Sequence, residues 1–413
     1  MQLSRFPLPS ACRRVHHDSV PVIPSPPTPV AAASAVILGA FREDSLQPRV
    51  AEMRAALGGP ADVVLAFVTP HWLPHFGDFL EVVQIGMRCR RVAGCTAGGL
   101  VSAAGEHEEM AGCSLLAVRA AGSAPRLERW PAAASAWPSR SGPSNGAIIL
   151  GHPLHLAIDG WMECWRHLYP SLPAFGGLAS GGTHASAIKL FDEDGLFDGA
   201  LLAVHFTGQV HVGGAVAQSC RPLGFPYVVT GAEGNILTSL GGQPPMRRLE
   251  EAFRQYQKAG GAGGPLAPGL VHAGFPASEN EARAGHDEFV VRAIIGADSS
   301  SGSMALAGLP RVGQTLQFQL RDPGSADEAW GRACRRLKDR LPSPPVAALL
   351  FPCLGRGHGF FGRSGHDSGV LTGELGAMPM AGAFVNGELA LTGDRMHAHT
   401  FSVAAAVLRG PAP

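Results

Sequence analysis

The chain has 413 residues, 46% of them hydrophobic and 16% charged, so it is long enough for two or three domains and apolar enough to bury a large core. The 33 Lys and Arg residues balance the 33 Asp and Glu residues, which argues against nucleic acid or an acidic membrane as a partner. The 54 glycines follow no fixed period, which excludes collagen.

The eight cysteines are scattered and form no C-x-x-C pair, which argues against a zinc ribbon or a thioredoxin-like site. We therefore expect reduced thiols in a cytoplasmic protein, without a disulfide framework, a metal or a cofactor. No apolar run is long enough to span a membrane, and the N-terminus lacks the apolar stretch of a signal peptide.

The first part of the chain predicts alternating strands and helices. Residues 1–32 contain a proline cluster that favours an extended, disordered tail. The apolar spacing from Leu46 to Leu57 is typical of one helix face, with a cap at Asp44 or Ser45. The predicted elements up to residue 118 are strands at 35–39, 63–68, 91–95 and 113–118 and helices at 46–57 and 76–87. This order predicts βαβ units and a largely parallel sheet.

The middle of the chain is less regular. Residues 121–145 are rich in Ala, Pro and Ser and predict a weak helix or a surface connection. A strand at 148–150 and a helix at 158–168 follow. Residues 201–206 and 210–216 predict an antiparallel hairpin closed by a glycine-containing turn. Residues 218–224 are the predicted connection between the two lobes of the chain.

The last part again alternates strands and helices. The predicted elements are strands at 227–230, 289–295, 316–320, 346–351, 380–385 and 396–400 and helices at 246–256 and 330–337. Leu316, Phe318 and Leu320 alternate with polar residues, which is typical of a half-exposed strand.

Three turns of small residues recur at Gly94–Gly99, Gly177–Gly182 and Gly382–Gly387. The simpler interpretation is that these are tight turns in a glycine-rich chain. The alternative is a repeated unit whose turns face one cavity.

Several segments, taken in their order and spacing, resemble one known family. They are Phe67–His71, Gly94–Gly99, Gln218–Gly224 with Val229 and Thr230, Arg321 with Asp322, Phe351–Gly357, Ala381–Phe384 with Gly387 and Glu388, and His397–Thr400. The family is FIST (F-box and intracellular signal transduction domains), and the resemblance covers roughly residues 35–408. One departure is Ser219, where the family usually has Gly before Cys-Arg-Pro.

The resemblance implies an α/β fold of two related lobes with mixed sheets flanked by helices, a FIST N-terminal lobe at 33–224 and a FIST C-terminal lobe at 225–413. It also implies a sensory module of signal transduction that binds a small molecule such as an amino acid and acts on a signalling protein. Because the two lobes fill the chain, we expect a stand-alone member without chemistry of its own.

The residues suggest where such a ligand would lie. Arg356 is the candidate clamp for a carboxylate, and Glu388 is the candidate partner for an ammonium group. The competing interpretation is that the two pair with each other or with the surface. The full set of predicted ligand-binding residues is Cys353, Gly355, Arg356, Gly357, Gly387, Glu388 and His397, with Gly94 and Gly98 from the first half.

Three alternatives remain open. Cys353, His397 and Glu388 are residue types that serve a hydrolase or transferase as nucleophile, base and orienting group. A Cys at the end of a buried strand is, however, more often a small core residue. An interaction scaffold would instead expose a large apolar patch. The His pairs in the chain lack a third ligand, so we expect no metal site.

Overall fold

The computed structural model of the chain describes residues 23–24, 30–120, 122–139, 142–260, 269–276, 289–392 and 395–412. The fold is α/β, in two lobes whose mixed sheets are flanked by helices, as the sequence predicted. No helix in these ranges is both long and apolar enough to cross a membrane.

The α-helices are α1 Glu43–Ala56, α2 Phe76–Met87, α3 Ile158–Leu168, α4 Pro245–Lys258, α5 Pro323–Arg340, α6 His358–Phe361 and α7 His366–Leu375. The first strands are β1 Ile23–Pro24, β2 Val30–Leu38, β3 Val63–Val68, β4 Val92–Thr96, β5 Gly99–Ser102, β6 Gly105–Glu108, β7 Gly112–Ala120, β8 Arg126–Trp130, β9 Gly146–Gly151, β10 Ala174–Leu178, β11 Leu190–Asp192, β12 Gly195–Phe197 and β13 Leu201–Phe206. The remaining strands are β14 His211–Gln218, β15 Cys220–Glu233, β16 Ile236–Leu240, β17 Val271–Pro276, β18 Phe289–Ala297, β19 Met304–Leu306, β20 Thr315–Arg321, β21 Pro345–Pro352, β22 Met380–Ala383, β23 Glu388–Thr392, β24 Arg395–His399 and β25 Ser402–Arg409.

The strands form three open sheets and one closed barrel. Sheet 1 has the order β1-β2-β7-β3-β4-β11-β12, sheet 2 the order β24-β23-β10-β9-β13-β8, and sheet 3 the order β14-β25-β21-β22-β5-β6. The barrel has the order β15-β16-β19-β18-β17-β20. Strands β5 and β6 from the first half join sheet 3, and β23 and β24 from the last part join sheet 2. The two halves of the chain are therefore interleaved.

Each open sheet contains one βαβ unit. The units are β3-α2-β4 in sheet 1, β9-α3-β10 in sheet 2 and β21-α6-α7-β22 in sheet 3, and in each the two strands are parallel. The other strand pairs in the described ranges are antiparallel. The prediction of βαβ units is thus confirmed, whereas the prediction of a largely parallel sheet is wrong, because antiparallel strands flank every unit.

The three sheets enclose one shared core. Phe67 of sheet 1 and Phe351 of sheet 3 meet edge to face with their ring centroids 5.7 Å apart, and Leu150 and Phe206 of sheet 2 are buried in the same cluster. Strands buried on both faces read as continuous apolar runs, which is why β3, β9 and β21 were recognisable in the sequence. Helices α1 and α2 cover sheet 1, α3 covers sheet 2, and α5 and α7 cover sheet 3.

The barrel has its own core with α4 packed against it. Leu316, Phe318 and Leu320 are all buried in this core, but Gln319 is buried as well and no residue of β20 is exposed, so the prediction of a half-exposed strand is wrong. Strand β15 runs without a break through residue 224, where the boundary between the lobes was predicted.

The largest local error concerns the predicted hairpin at 201–216. Strand β13 pairs with β8 and β9 in sheet 2, whereas β14 pairs with β25 in sheet 3, so the two strands are not paired with each other. A glycine turn between two apolar runs is compatible with a hairpin or with a crossing between layers. Every residue of β13 is buried on both faces, which is typical of a strand inside sheet 2 and not of one arm of a surface hairpin.

Three smaller errors concern the start of β2, the cap of α1 and the segment at 126–130. Strand β2 begins at Val30, so the last three residues of the predicted tail are paired with β7, while residues 1–22 and 25–29 lie outside the described ranges. Helix α1 begins after Arg42 and has no side-chain cap from Asp44 or Ser45. Residues 126–130, predicted as helix or connection, form the edge strand β8 of sheet 2.

Candidate functional site

The three glycine turns meet at one place in the molecule. The Gly98 N–H donates to Ser180 Oγ at 2.8 Å, and the Leu178 N–H donates to the Gly387 carbonyl at 2.8 Å. The Phe384 N–H donates to the carbonyl of Gly99 at 2.9 Å. Each turn follows the second parallel strand of a βαβ unit, so the repeated unit suggested by the sequence is present, and the carboxyl ends of the three units form one turn cluster (residues 96–99, 178–182 and 384–387).

Protein atoms occupy the space beside the predicted glycines of this cluster. A Cβ on Gly98 would lie 3.1 Å from Leu354 Cδ2, and a Cβ on Gly387 would lie 3.1 Å from the His399 carbonyl. Gly94 lies on β4 just before the cluster, and a Cβ there would overlap the Ala66 carbonyl oxygen. These glycines therefore serve close packing between layers, and a role for them in lining a ligand pocket stays a prediction.

Arg356 lies in a buried charged network rather than on an open rim. Its Nε and Nη2 donate to Asp367 Oδ2 and Oδ1 at 2.7 and 2.6 Å, and its Nη1 donates to Ser219 Oγ. Both charged side chains are fully buried. Burial opposes ionisation of Asp367, but Arg356 and His366 outweigh it and hold the pKa of Asp367 below its usual value. The competing interpretation, in which Arg356 pairs with Glu388 or with a surface group, is therefore wrong, because its partner is Asp367. A ligand carboxylate at this guanidinium would have to displace Asp367.

This network reaches from the core to the surface. His366 Nδ1 contacts Asp367 Oδ1 at 2.8 Å, and His366 Nε2 contacts Asp327 Oδ1 at 2.8 Å. The His366 ring stacks on Phe361, with the centroids 3.5 Å apart. Asp327 is half exposed, so the buried ion pair is linked to solvent through a single histidine.

Positions 355 and 357, on either side of Arg356, are glycine for two different structural reasons. Gly357 has a φ of +85°, and a Cβ there would overlap the carboxylate of Glu108, whose Oε1 accepts from the His358 N–H at 2.8 Å. A Cβ on Gly355 would lie 3.2 Å from Arg321 Nη2, which donates to the Gly355 carbonyl at 2.5 Å. Both positions therefore favour glycine because protein side chains from other segments approach the loop.

Glu388 lies in the seam between sheets 2 and 3. It is fully buried, and its Oε2 accepts from the Ser402 N–H at 3.1 Å and from the Ser402 hydroxyl. Its Oε1 accepts no hydrogen bond from a described N–H or O–H group. Burial raises the pKa of Glu388 to about 8, so the carboxyl group keeps a proton near neutral pH.

This raised pKa predicts a pH-dependent stability. The unfolded chain releases the Glu388 proton near pH 4.5, whereas the folded chain keeps it until about pH 8, so the free energy of unfolding falls as the pH rises through this window and is flat above it. Glu388→Gln keeps the shape and an oxygen for Ser402, and we expect it to remove this slope. Urea unfolding of both proteins between about pH 7 and 8 measures the difference.

Two buried histidines add no slope to the free energy of unfolding between pH 7 and 8. Burial lowers the pKa of His272 to about 4 and that of His399 well below its usual value, so their contribution rises with pH and is complete near pH 7. Parallel curves for Glu388→Gln and the parent between pH 7 and 8 would show that Glu388 ionises normally in the fold.

The proposed nucleophile is placed unfavourably. Cys353 is buried at the end of β21, and burial, with the neighbouring Glu388, raises the pKa of its thiol to about 12. An activated cysteine has a lowered pKa. His397 lies on β24 opposite Ala390, on the sheet face that also carries Glu388 and His399. The geometry brings the three candidate residues to one seam without giving the cysteine a reactive thiolate.

A feature that the sequence did not reveal is a cavity at the end of this seam. It measures about 300 Å³ and lies between α5, β14 and the ends of β23 and β24. Gln218 and His399 line it, with Gln218 Nε2 and His399 Nδ1 2.7 Å apart and His399 Nε2 3.2 Å from Thr392 Oγ1. Gln218 Oε1 is buried without a described partner. The sequence offered little indication of this cavity, because Gln218 differs in no local pattern from the other residues of the connecting segment 218–224.

A second cavity of about 470 Å³ lies at the barrel, between α4 and β18. Its walls are mainly apolar, and the lining residues include Met246, Leu249, Phe253, Ile294 and Met304. In the described ranges, no group of three or more His, Cys, Asp or Glu side chains is placed to hold a metal ion. The seven cysteines in those ranges are free thiols.

Comparison with known proteins gives a consistent result over most of the chain. The family profile FIST N domain matches residues 62–243, and FIST C domain matches residues 251–391. Uncharacterized protein Rv0628c of Mycobacterium tuberculosis is 33% identical over 356 residues, which cover 80% of this chain and 86% of the relative. Uncharacterized protein Mb0898c of Mycobacterium bovis is 36% identical over 238 residues, which cover 58% of this chain and 61% of the relative.

Proposed function

The chain belongs to the FIST family, and we propose that it is a sensory protein of intracellular signal transduction that binds a small molecule, such as an amino acid, in the cytoplasm. FIST domains are associated with sensing in signal transduction. The proposal adds to this a ligand that binds without being consumed and a site in the seam between sheets 2 and 3.

The observation that carries the proposal is that two buried oxygen atoms in that seam lack hydrogen-bond partners among the described N–H and O–H groups. Glu388 Oε1 and Gln218 Oε1 are both buried and have no hydrogen bond with a described N–H or O–H group. Leaving a buried acceptor unsatisfied costs about 1–3 kcal/mol. A ligand hydroxyl group would supply a missing partner, since it can accept from the protonated Glu388 or donate to Gln218, and an ammonium group would instead favour the ionised form of Glu388.

The interleaved strands support a sensory role for such a ligand. Glu388 belongs to β23, which extends sheet 2, while its hydrogen-bond partner Ser402 begins β25 of sheet 3. A ligand that changes the hydrogen bonds of Glu388 would therefore act on the contact between two sheets, each of which carries its own helices. The nearby Arg356 network connects the same region to the surface at Asp327.

A thermal-shift screen tests the proposal. We expect at least one member of a panel of the common amino acids, small amines and small carboxylates to raise the melting temperature, because a ligand that binds only the folded chain stabilises it by about 2.7 kcal/mol at a hundredfold excess over its Kd. The ligand should be recovered unchanged by NMR. Glu388→Gln should weaken binding of amines, with Glu52→Gln, at an exposed position of α1, as the matched control. A panel without any shift would contradict the proposal.

A further inference from the structure

Arg321, at the end of β20, is a cation without an acidic partner. Its side chain is partly buried, and its Nη2 donates to the Gly355 carbonyl at 2.5 Å. Within the described ranges no Asp or Glu forms an ion pair with Arg321, and none contributes to its pKa, which burial lowers. A charge that is partly removed from water is normally paired, because its lost hydration must be replaced. The protein therefore carries one positive charge here that no carboxylate neutralises.

Two of the three guanidinium nitrogens of Arg321 have no acceptor among the described residues. The Nε atom is buried and makes no hydrogen bond. The Nη1 atom also makes none, but it is not buried, so it reaches solvent. The N–H groups of Nη1 and Nη2 lie in one plane and form a fork that matches the two oxygens of a carboxylate. Arg356 shows the filled counterpart of this arrangement, since two of its nitrogens donate to the two oxygens of Asp367.

Two phenyl rings lie beside the Arg321 guanidinium. Its central carbon is 4.7 Å from the ring centroid of Phe360 and 4.7 Å from that of Phe401. The Phe401 ring also stacks on His272, with the centroids 4.0 Å apart. Phe401 has a φ of +55°, which is unfavourable for a bulky residue, so tertiary contacts hold this ring in place. The rings stabilise the cation without neutralising it and provide an apolar surface next to its open fork.

The position of Arg321 connects the barrel to sheet 3. Phe360 belongs to α6, which follows β21, the first strand of the βαβ unit of that sheet. Phe401 directly precedes Ser402, which is hydrogen-bonded to Glu388. Ligands of open α/β sheets bind outside the carboxyl ends of the strands, and Arg321 brings a cation from the barrel to this end of β21. Both phenyl rings are partly exposed, so a small molecule can reach the guanidinium.

We propose that Arg321 binds the ligand carboxylate in the sensory function proposed above, and that the ligand is a small monocarboxylate with an apolar group next to the carboxylate. One unneutralised charge suits a monoanion better than a phosphate dianion, and Phe360 and Phe401 suit the apolar group. The inference rests on that proposed function. It moves the carboxylate from Arg356, whose donors are occupied by Asp367, to a guanidinium whose fork is open.

Benzoate and its neutral isostere benzamide are the probes for this site. We expect the Kd of benzoate to be about tenfold lower than that of benzamide, because only the anion forms charge-assisted hydrogen bonds with Arg321. Arg321→Gln should remove the difference, and Arg321→Lys, which keeps the charge, should retain part of it. NMR titration measures each Kd. Arg54→Gln is the matched control, because Arg54 is also partly buried and donates to a main-chain carbonyl, that of Gly86, at 2.6 Å.

A second measurement uses the unaltered chain, so it does not depend on a variant that folds. Phenylglyoxal modifies accessible guanidinium groups, and peptide mass spectrometry reads each arginine separately. Benzoate at ten times its Kd should slow the modification of Arg321 about tenfold, because only the unliganded fraction reacts, and should leave Arg54 unaffected. An Arg321 that is not modified, that benzoate does not protect, or that inorganic phosphate protects equally well would overturn the proposal.

The thermal-shift screen separates this site from the sensory function itself. Arg321→Gln should abolish the shift given by any active carboxylate of the panel. A carboxylate shift that survives Arg321→Gln would leave the sensory function standing and overturn this site. A panel without any shift, combined with protection of Arg321 by benzoate, would instead contradict the sensory function and support the anion site.

Discussion

Asp367→Asn is expected to lower the free energy of unfolding by about 3–5 kcal/mol, because it leaves the buried Arg356 charge without its partner. Both side chains are fully buried, and the guanidinium meets the carboxylate through two parallel hydrogen bonds. The asparagine amide keeps the volume but points an N–H donor at a donor. Urea unfolding followed by tryptophan fluorescence measures the loss, with Trp330, which donates to the Asp367 carbonyl at 3.0 Å, as a local reporter.

Two further variants show whether the lost stability comes from the unpaired buried charge. Glu52→Ala breaks the more exposed pair with Arg49 and should cost less than about 1 kcal/mol. The double replacement Arg356→Met with Asp367→Leu removes both charges and should recover most of the lost stability, since a buried ion pair replaced by apolar residues is often neutral. A small effect of Asp367→Asn, equal to that of the surface control, would mean that water reaches Arg356.

Gly176→Ala is expected to lower the free energy of unfolding by about 3 kcal/mol, at the upper end for overpacking, or to prevent folding. Three glycines occupy the same position in the three βαβ units, on the second parallel strand opposite the first. In each, an added Cβ would overlap a carbonyl oxygen of the first strand; the pairs are Gly94 with Ala66, Gly176 with Ile149, and Gly382 with Leu350. A backbone oxygen held in a ladder cannot rotate away as a side chain can.

A Gly→Ala substitution at a position with room for the added methyl group provides the control. Gly373 is an exposed residue of helix α7 with no atom within 4 Å of an added Cβ, so Gly373→Ala should raise stability by about 0.5–1 kcal/mol. Thermal and urea unfolding of both variants should show opposite signs. A Gly176→Ala protein as stable as the parent would indicate that β9 and β10 separate more easily than the ladder suggests.

The sequence predicted the fully buried elements well. Strands β3, β9 and β21 appear as short apolar runs, and α1 to α3 show a helical period, because burial on both faces or on one face leaves a local pattern. The recurring glycines indicated a repeat, and the turns do meet. The pattern could not show that Gly94, Gly176 and Gly382 are required by strand contacts rather than by a ligand, because a missing side chain does not record what fills its place.

The ligand-binding residues chosen from the sequence stay a prediction. The segment around Arg356 and Glu388 lies where the sheets meet, but the partner Asp367 and the cavity at Gln218 were missed. Asp367 stands eleven residues from Arg356 across two short helices, and no local spacing relates them. The hairpin predicted at 201–216 failed for the same reason, since the partners of β13 and β14 lie far along the chain.

The amino-acid sequence by itself determined the family, the α/β class and the positions of most strands and helices, because these depend on composition and on patterns within a few residues. The tertiary structure alone decided which strands share a sheet, which carboxylate neutralises Arg356, and where a cavity remains. Those outcomes depend on contacts between residues far apart in the chain, and many arrangements are compatible with the same local patterns until packing selects one.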